Sequence, residues 1–548
     1  MIKILKKKYN TILVFILPLI LFFIGFLIYK DYGISLDEEI TRNNGLVSIK
    51  YIVDLFFPQY AYNFELIQNV PDLKDYSDKQ YGAFFEIIVI SIIEILFDVK
   101  NFSEIYYYRH LANHCLFISA VTCFYFLCQN LFKNKVYAFF GTLILYTSPR
   151  IFAESFYNSK DLAFLSFFIF LIYFSIKLIK KINYTNAFLL SIFAALAINS
   201  RIISVYVGIL VILFFFIEFL MKNKFDKKKI KILIFFLFFK VLFLYFTWPF
   251  LWENPVENFI YTLSTFSRFI RWGGHVFYLG EFHNVFYLPS HYLLVSFLAT
   301  TPILISLLIF CGVLQLLFRF FRRLININTK NLYNDIWRSE NEKIFLFLFF
   351  VIFIPIFSIF LFDSVIYNGW RHLFFLYPLS ILFLIYFINL VSLKFRNKKM
   401  VKYLNIILII ISLNNIYNLV NLHPFQYIYF NSIFEKNANK LFEIDYWGVS
   451  NKHSLEIILK NNLKKDKIKI GVASFTDLNL SRKILDQKSK DRLIISGQDF
   501  SNADFIFNNN NFEVNPNLDN KYLIPKNFKK YIEFKKGKIL INEFYVKE

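Results

Sequence analysis

Charged residues are scarce in this chain of 548 residues, in which Asp, Glu, Lys and Arg together make up 18%. Hydrophobic residues account for 57% and aromatic residues for 21%, an apolar share above that of ordinary globular proteins. Mean hydropathy is +0.47. This composition excludes an ordinary water-soluble domain and predicts a polytopic α-helical membrane protein.

Cysteine is scarce as well. The four cysteines, Cys115, Cys123, Cys128 and Cys311, lie in apolar runs and form no CxxC motif, which argues against a disulfide framework and a thiolate metal site. The histidines lack metal-ligand spacing, and the chain has no glycine-rich phosphate-binding motif. We therefore expect no metal and no cofactor.

The net charge of +22 does not predict nucleic-acid binding, because the basic residues form short clusters between apolar runs instead of one exposed face. Such clusters orient membrane helices, since cytoplasmic loops carry an excess of Lys and Arg. Here they alternate along the chain. The alternation predicts a cytoplasmic N-terminus and a C-terminus on the opposite side.

Apolar runs define eleven predicted membrane spans. These spans are 11–29, 111–132, 136–146, 162–176, 187–198, 202–220, 232–246, 292–318, 344–362, 373–393 and 403–420. The further apolar run 83–97 is interrupted by Glu86 and Glu94. We interpret it as a helix in the outer interface, because a span there would invert every later loop.

The last part of the chain has a different pattern. Helices are predicted over 452–463 and 478–485, strands over 467–474, 492–496 and 503–507, and a closing hairpin over 531–546. We expect a transmembrane domain over 1–421 and a small α/β domain outside the membrane over 422–548. This tail can serve acceptor docking or structural capping.

An acidic pair, Asp37 and Glu38, follows the first predicted span on the outer side. A carboxylate at a membrane surface can accept the proton of an incoming hydroxyl, as a general base does. The alternative is a solvated acidic loop, which is what most clusters of charge are.

The second outer loop crowds polar residues between two apolar spans, among them Arg150, Asn158, Lys160 and Asp161. They can bind substrate, or anchor the helices at the interface with Lys160 and Asp161 neutralising each other. Arg201 lies in an outward turn next to the membrane, against the orientation bias. It therefore requires a function or an acidic partner.

The remaining outer loops combine aromatic rings with basic side chains. Trp272 and His275 lie in the long loop after the seventh span, and Arg371 and His372 in the last short loop. Rings can stack on a sugar and cations can bind a phosphate. Anchoring at the membrane interface explains the same residues equally well.

Taken in order, these motifs resemble the integral-membrane glycosyltransferases of the GT-C fold. Within them the chain is most similar to the family of protein O-mannosyltransferases and lipid A aminoarabinose transferases, glycosyltransferase family 39. The resemblance covers about residues 1–450. The motifs that carry it are 33–38 (GISLDE), 148–152 (SPRIF), 158–161 (NSKD), 199–202 (NSRI), 248–250 (WPF), 369–373 (GWRHL) and 423–427 (HPFQY).

This resemblance implies that Asp37 is the catalytic base, with Glu38 beside it, and that Asp161 matches the acid of the family's second outer loop. It also implies a polyprenyl-phosphate sugar donor taken from the membrane and a periplasmic site in a bacterial inner membrane. The chain lacks the β-trefoil insert of eukaryotic mannosyltransferases, so neither mannose nor a protein acceptor follows.

From the residues we expect an inverting, metal-independent transfer, with Lys160, Arg201 and Arg371 on the donor phosphate. Arg150, Asn158, Trp272, His275 and His372 are candidate substrate-binding residues. The acceptor is a hydroxyl of a lipid, glycan or protein. Two alternatives remain open at this point: a transporter of lipid-linked saccharides and a noncatalytic assembly protein.

Overall fold

The computed structural model describes residues 16–61, 64–222, 226–268, 272–325, 337, 339–395 and 397–548. Among them, eight helices are long and apolar enough to cross a membrane, which confirms a predominantly helical, multi-pass membrane protein. These eight are Phe102–Phe132, Asp161–Lys180, Ile202–Leu220, Lys227–Thr247, Ile303–Arg322, Glu340–Leu361, Arg371–Phe395 and Lys398–Leu422.

The α-helices are numbered in chain order. They are α1 Ile16–Ile28, α2 Leu36–Phe56, α3 Pro58–Ala61, α4 Phe84–Ile90, α5 Phe102–Phe132, α6 Lys135–Tyr146, α7 Pro149–Tyr157, α8 Asp161–Lys180, α9 Tyr184–Ser200, α10 Val205–Lys222, α11 Lys227–Thr247, α12 Pro255–Arg268, α13 Tyr292–Thr300, α14 Ile303–Ile325, α15 Glu340–Leu361, α16 Tyr377–Phe395, α17 Lys398–Leu422, α18 Ala438–Leu441, α19 Asn451–Asn461, α20 Leu478–Lys483 and α21 Gln487–Arg492.

Each predicted span coincides with helix in the described residues, although residues 11–15 of the first span lie outside them. Three of these helices, α1, α6 and α9, are shorter than the eight above. Eight crossings are therefore supported by length, and the count of eleven stays a prediction. The predicted span 292–318 is wrong as one helix: it breaks between α13 and α14 at Pro302, which has no N–H to donate.

Three segments predicted as outer loops contain helices, among them the segment 148–161, which contains α7. Asp37 and Glu38 lie in the first turn of α2, and α12 lies in the long loop after α11. A search for membrane spans misses such helices, because their polar faces lower the mean hydropathy. The same long loop carries an antiparallel hairpin of β1 His275–Tyr278 and β2 Glu281–Asn284.

The predicted interfacial helix over 83–97 corresponds to α4 followed by a π-helical turn, Ser91–Leu96. The acids that interrupt its apolar pattern are both paired: Arg109 Nη2 lies 2.7 Å from Glu86 Oε2, and Arg42 pairs with Glu94. These ion pairs attach the segment to α2 and α5.

The tail contains a five-stranded mixed sheet. Its strands are β3 Ile468–Val472, β4 Leu493–Gly497, β5 Phe505–Asn508, β6 Phe528–Lys536 and β7 Ile539–Lys547. The order is β4-β3-β5-β7-β6; β3 pairs parallel with β4 and β5, and the other pairs are antiparallel. The predicted elements of the tail are thereby confirmed, whereas its status as a separate domain stays a prediction.

Candidate functional site

Asp37 and Arg371, far apart in the chain, form an ion pair. Asp37 lies in the first turn of α2, and Arg371 begins the short 3-10 helix Arg371–Leu376 that leads into α16. Arg371 Nη1 donates to Asp37 Oδ2 over 3.3 Å. The Asp37 side chain remains 29% exposed, whereas that of Arg371 is 5% exposed. Asp37 is therefore held by a buried cation and is still open to a substrate.

Asp161 joins the two arginines. Its side chain is buried at the N-terminus of α8, where the helix dipole favours an anion. One oxygen pairs with Arg201, and the other lies 3.5 Å from Arg371 Nη1. Asn158 Nδ2 donates to Asp161 Oδ2 over 3.0 Å. Asp161 is thus the acidic partner that Arg201 requires, and the alternative in which it neutralises Lys160 is not the arrangement found.

Asn158 is fixed in turn by its own loop. Its amide donates to Glu154 Oε2 over 2.7 Å, and its carbonyl oxygen accepts from the Asp161 backbone N–H over 2.8 Å. Glu154 also accepts from Tyr446 Oη over 3.2 Å. The second outer loop therefore forms a rigid base beneath the two arginines.

Lys160, Arg201, Arg371 and His372 line one end of a cavity of about 410 Å³. Lys160 Nζ lies 4.1 Å from the centre of the Tyr81 ring, a cation–π contact. The Nε atoms of Arg201 and Arg371 are buried and have no hydrogen-bond partner among the described residues. The cavity thus presents buried cationic donors at one end.

The rest of the cavity is largely apolar. Its wall is formed by side chains of the α10 and α15 region and of α12, together with neighbouring loops: Ile202, Ile203, Tyr206, Leu263, Phe266, Ile354, Pro355, Ile359 and Phe362. The apolar wall includes residues of α10 and α15, which belong to two of the eight candidate membrane-spanning helices, and the cavity joins this wall to a cationic end.

The charges in this site shift one another's pKa values. Burial raises the pKa of Asp37, whereas the positive charges of Arg371, Lys160 and Arg201 lower it. The cations outweigh burial, so the pKa lies below its ordinary 3.8. Burial lowers the pKa of Lys160, although Asp37 counteracts this. Asp37 is accordingly ionised at neutral pH, the state that a general base requires.

Glu38 does not share the position of Asp37. It is 1% exposed; Oε2 accepts from the Ser35 N–H at the start of α2 over 2.7 Å, and Oε1 lies 2.9 Å from His110 Nε2. Both oxygens are therefore engaged in fixing the start of α2 to α5.

The other predicted substrate-binding residues are dispersed. His372 lines the cavity, and Trp272 packs on Tyr367, a lining residue, with ring centres 4.4 Å apart. Arg150 is buried away from the cavity wall, where its Nε donates to Tyr429 O over 3.2 Å. His275 is the first residue of the hairpin, and its backbone N–H donates to Glu513 O in the tail over 2.9 Å. Arg150 and His275 are not among the cavity-lining residues.

Several residues of the site were not singled out from the sequence. The guanidinium carbon of Arg371 lies 4.8 Å from the ring centre of Tyr367 and 4.6 Å from that of Trp447. Gln80 also lines the cavity, as does Trp248 of the motif 248–250. Tyr367 adjoins the motif 369–373 and was accessible to sequence reasoning, whereas Gln80 carries no charge or motif that marks it.

Within the described ranges, no group of three or more His, Cys, Asp or Glu is arranged to hold a metal ion. The chemistry available from these residues is that of a carboxylate base next to a set of cations.

Residues 89–248 match the family model described as dolichyl-phosphate-mannose-protein mannosyltransferase. A search of curated proteins finds no match. Among solved structures, the chain is similar to ArnT from Cupriavidus metallidurans in the apo state, with 10% identity and a TM-score of 0.44 over 90% of this chain and 87% of that one. The same protein bound to undecaprenyl phosphate gives 10% identity and a TM-score of 0.44 over 88% and 85%. The resemblance predicted from the outer-loop motifs is thus confirmed by the family model, which makes residues 89–248 similar to the dolichyl-phosphate-mannose-protein mannosyltransferases.

Proposed function

We propose that this protein is a glycosyltransferase that moves a sugar from a polyprenyl-phosphate carrier to a hydroxyl of a lipid, glycan or protein. The observation that carries the proposal is the cavity, in which the cations Lys160, Arg201 and Arg371 accompany a largely apolar lining. A lipid phosphate has the same division between an anionic head and a hydrocarbon chain. The family model supports this donor class, because its description names a polyprenyl-phosphate sugar.

The charge balance of the polar end fits a phosphodiester. Three cations line it, and the two carboxylates that pair with the arginines are Asp37 and Asp161. Three positive charges against two negative ones leave one positive charge. A sugar phosphodiester carries one negative charge, so the donor neutralises the site, and the planar guanidinium groups can engage its oxygens in pairs.

In the proposed reaction Asp37 accepts the proton of the acceptor hydroxyl, whose oxygen attacks the anomeric carbon. The bond from that carbon to the phosphate oxygen breaks, and the polyprenyl phosphate leaves with the bonding electrons. Arg201, Arg371 and Lys160 stabilise its growing charge. A single displacement of this kind inverts the anomeric configuration.

Asp161 and Glu38 act through other groups in this proposal. Asp161 receives both arginines and therefore sets their separation, and Glu38 fixes the turn that carries Asp37. We assign both as positioning residues and keep the catalytic role for Asp37.

We place the reaction on the periplasmic side of a bacterial inner membrane, with the N-terminus in the cytoplasm and the C-terminus in the periplasm. The basic clusters support this orientation, since the site residues lie in the loops that carry few of them. None of the matching proteins reported above is described as a transporter, and the open carboxylate beside three cations favours catalysis over transport.

The decisive experiment incubates the purified protein with undecaprenyl phosphates that carry different hexoses or pentoses, together with candidate acceptors, and detects products by mass spectrometry. Release of undecaprenyl phosphate with a glycosylated product supports the proposal. Translocation of intact lipid-linked sugar in vesicles, unchanged in Asp37→Asn and without product, would reject it in favour of a transporter.

A further inference from the structure

Gln80 is a fully buried amide that faces the cavity without a protein partner. Its exposed fraction is 0%, and neither Nε2 nor Oε1 has a hydrogen-bond partner among the described residues. It lines the same cavity as Arg201 and Arg371. Burying an amide without hydrogen bonds is unfavourable, so a ligand that satisfies both atoms has a free-energy advantage at this position.

The loop that carries Gln80 is held rigidly. A side chain at Gly82 would meet the backbone oxygen of Asn199 at 2.0 Å, so glycine permits the loop to pack directly on the end of α9. Asn199 Oδ1 also accepts the Phe84 N–H over 3.2 Å. Gln80 is therefore held in place before any ligand enters.

A second unpartnered donor lines the cavity with Gln80. Trp248 is 2% exposed, and its indole Nε1 has no hydrogen-bond partner among the described residues. Together the two side chains offer two kinds of donor and one acceptor, the carbonyl oxygen of the Gln80 amide.

The chemistry of the acceptor atom distinguishes what it binds. A phosphodiester has acceptor oxygens alone, so it can satisfy the guanidinium, amide and indole N–H groups but not Gln80 Oε1. A sugar hydroxyl both donates and accepts. We infer that Gln80, together with Trp248 in the lining of the same cavity, is a specificity-determining subsite for a hydroxyl of the sugar carried by the lipid donor, distinct from the cations that bind its phosphate. This inference rests on the proposed function and identifies the part of the cavity that recognises the sugar.

Gln80→Met tests this inference, because Met has nearly the same length and neither hydrogen-bonding atom. Affinities of the purified full-length variant are measured for undecaprenyl phosphate and for undecaprenyl phosphate mannose and glucose. We expect about a tenfold loss for the preferred sugar lipid and unchanged affinity for undecaprenyl phosphate. Trp248→Phe, which removes the indole N–H and retains an aromatic ring, is expected to give a smaller loss of the same kind.

Thermal unfolding supplies a second measurement that a merely structural role would not reproduce. Replacing an unpaired buried amide by an apolar chain is expected to keep or raise the melting temperature of the ligand-free protein while weakening binding of the sugar lipid. Gln487→Met, at an exposed position on α21, is the matched control and should change neither quantity.

The outcomes separate the two proposals. Equal weakening of both lipid classes in Gln80→Met would place Gln80 on the phosphate and overturn the inference, as would unchanged affinity for each of them. A raised KM for the acceptor with unchanged donor affinity would also overturn it. Failure of the unmodified protein to bind undecaprenyl phosphate or its sugar conjugates would instead reject the proposed function.

Discussion

Arg371 Nη1 donates to Asp37 Oδ2 over 3.3 Å across a separation of 334 positions in the chain. The same guanidinium reaches toward Asp161 and lines the cavity. If Arg371 binds the leaving phosphate, binding of the donor is linked to release of Asp37 from its ion pair, because the same guanidinium contacts the phosphate and the Asp37 carboxylate. The pair thus connects the proposed base to the proposed leaving-group site.

Asp37→Asn is expected to lower kcat by about 100-fold or more, because the amide cannot accept the acceptor's proton. Turnover of the lipid donor is the measurement, with membrane insertion checked in parallel. Asp54→Asn, at an exposed position of the same helix, is the matched control and should retain full activity. Near-normal turnover of Asp37→Asn would remove Asp37 from the catalytic role.

The pH profile should show little loss of kcat/KM attributable to Asp37 between pH 7 and 5. The base must be ionised, and its pKa lies below 3.8 because the three neighbouring cations outweigh the effect of burial. Protonation and loss of activity therefore begin at lower pH. Arg371→Gln removes the largest lowering contribution, so the acid limb should shift to higher pH in that variant; an unshifted limb would contradict this account.

Arg201→Ala and Arg371→Ala should each weaken the use of the lipid donor by about 10- to 100-fold, the loss typical of charge-assisted hydrogen bonds. Lys at either position should restore part of the activity, because an ammonium lacks the planar pair of donors. Arg319→Ala, at an exposed position near the C-terminal end of α14, is the control. Unchanged donor kinetics in stably inserted alanine variants would make both arginines interface anchors.

Glu38→Ala should destabilise the protein by about 1–3 kcal/mol, because it removes the buried carboxylate that contacts His110 Nε2 and accepts the Ser35 N–H at the start of α2. The residual activity per folded molecule should exceed that of Asp37→Asn. Comparing melting temperature with kcat separates the two roles. A loss of kcat equal to that of Asp37→Asn at unchanged melting temperature would make Glu38 a catalytic residue instead.

Reporter fusions test the orientation. A reporter near Lys228 should report the cytoplasm, and reporters near Gly274 and after Asn461 the outside, because the basic clusters alternate along the chain. A cytoplasmic reading after Asn461 would contradict the eleven-span arrangement and place the proposed site on the wrong side.

Sequence patterns predicted the helices and strands that are determined by residues close together in the chain. Apolar runs located the helices, and alternation located the strands of the tail, because burial in lipid or in a sheet is visible in neighbouring residues. The arginines Arg201 and Arg371 were also recognised, since a cation on the outer side conflicts with the orientation bias. Their convergence on Asp161 was not predictable in detail, because it depends on how the neighbouring helices α8 and α9 pack against the distant segment Arg371–Leu376.

A residue that carries no charge and belongs to no periodic pattern was not identified from the sequence. Gln80 is notable only because folding buries both polar atoms of its amide beside a cavity. Arg150 and His275, two of the substrate-binding candidates, do not line the cavity: Arg150 Nε donates to the carbonyl of Tyr429, and the backbone N–H of His275 donates to Glu513 O in the tail. Their role in substrate binding stays a prediction.

Trp447, which lies beyond the last apolar helix, contacts Arg371 and Leu36, the residue before Asp37. Its carbonyl accepts the Leu36 N–H at the start of α2, and its ring covers the Arg371 guanidinium. A protein cut after residue 421 would keep every proposed catalytic and phosphate-binding side chain and still lose the ring that covers the Arg371 guanidinium. If an acceptor binds to the tail and displaces Trp447, the displacement changes the surroundings of both Asp37 and Arg371, because Trp447 contacts Leu36 and Arg371.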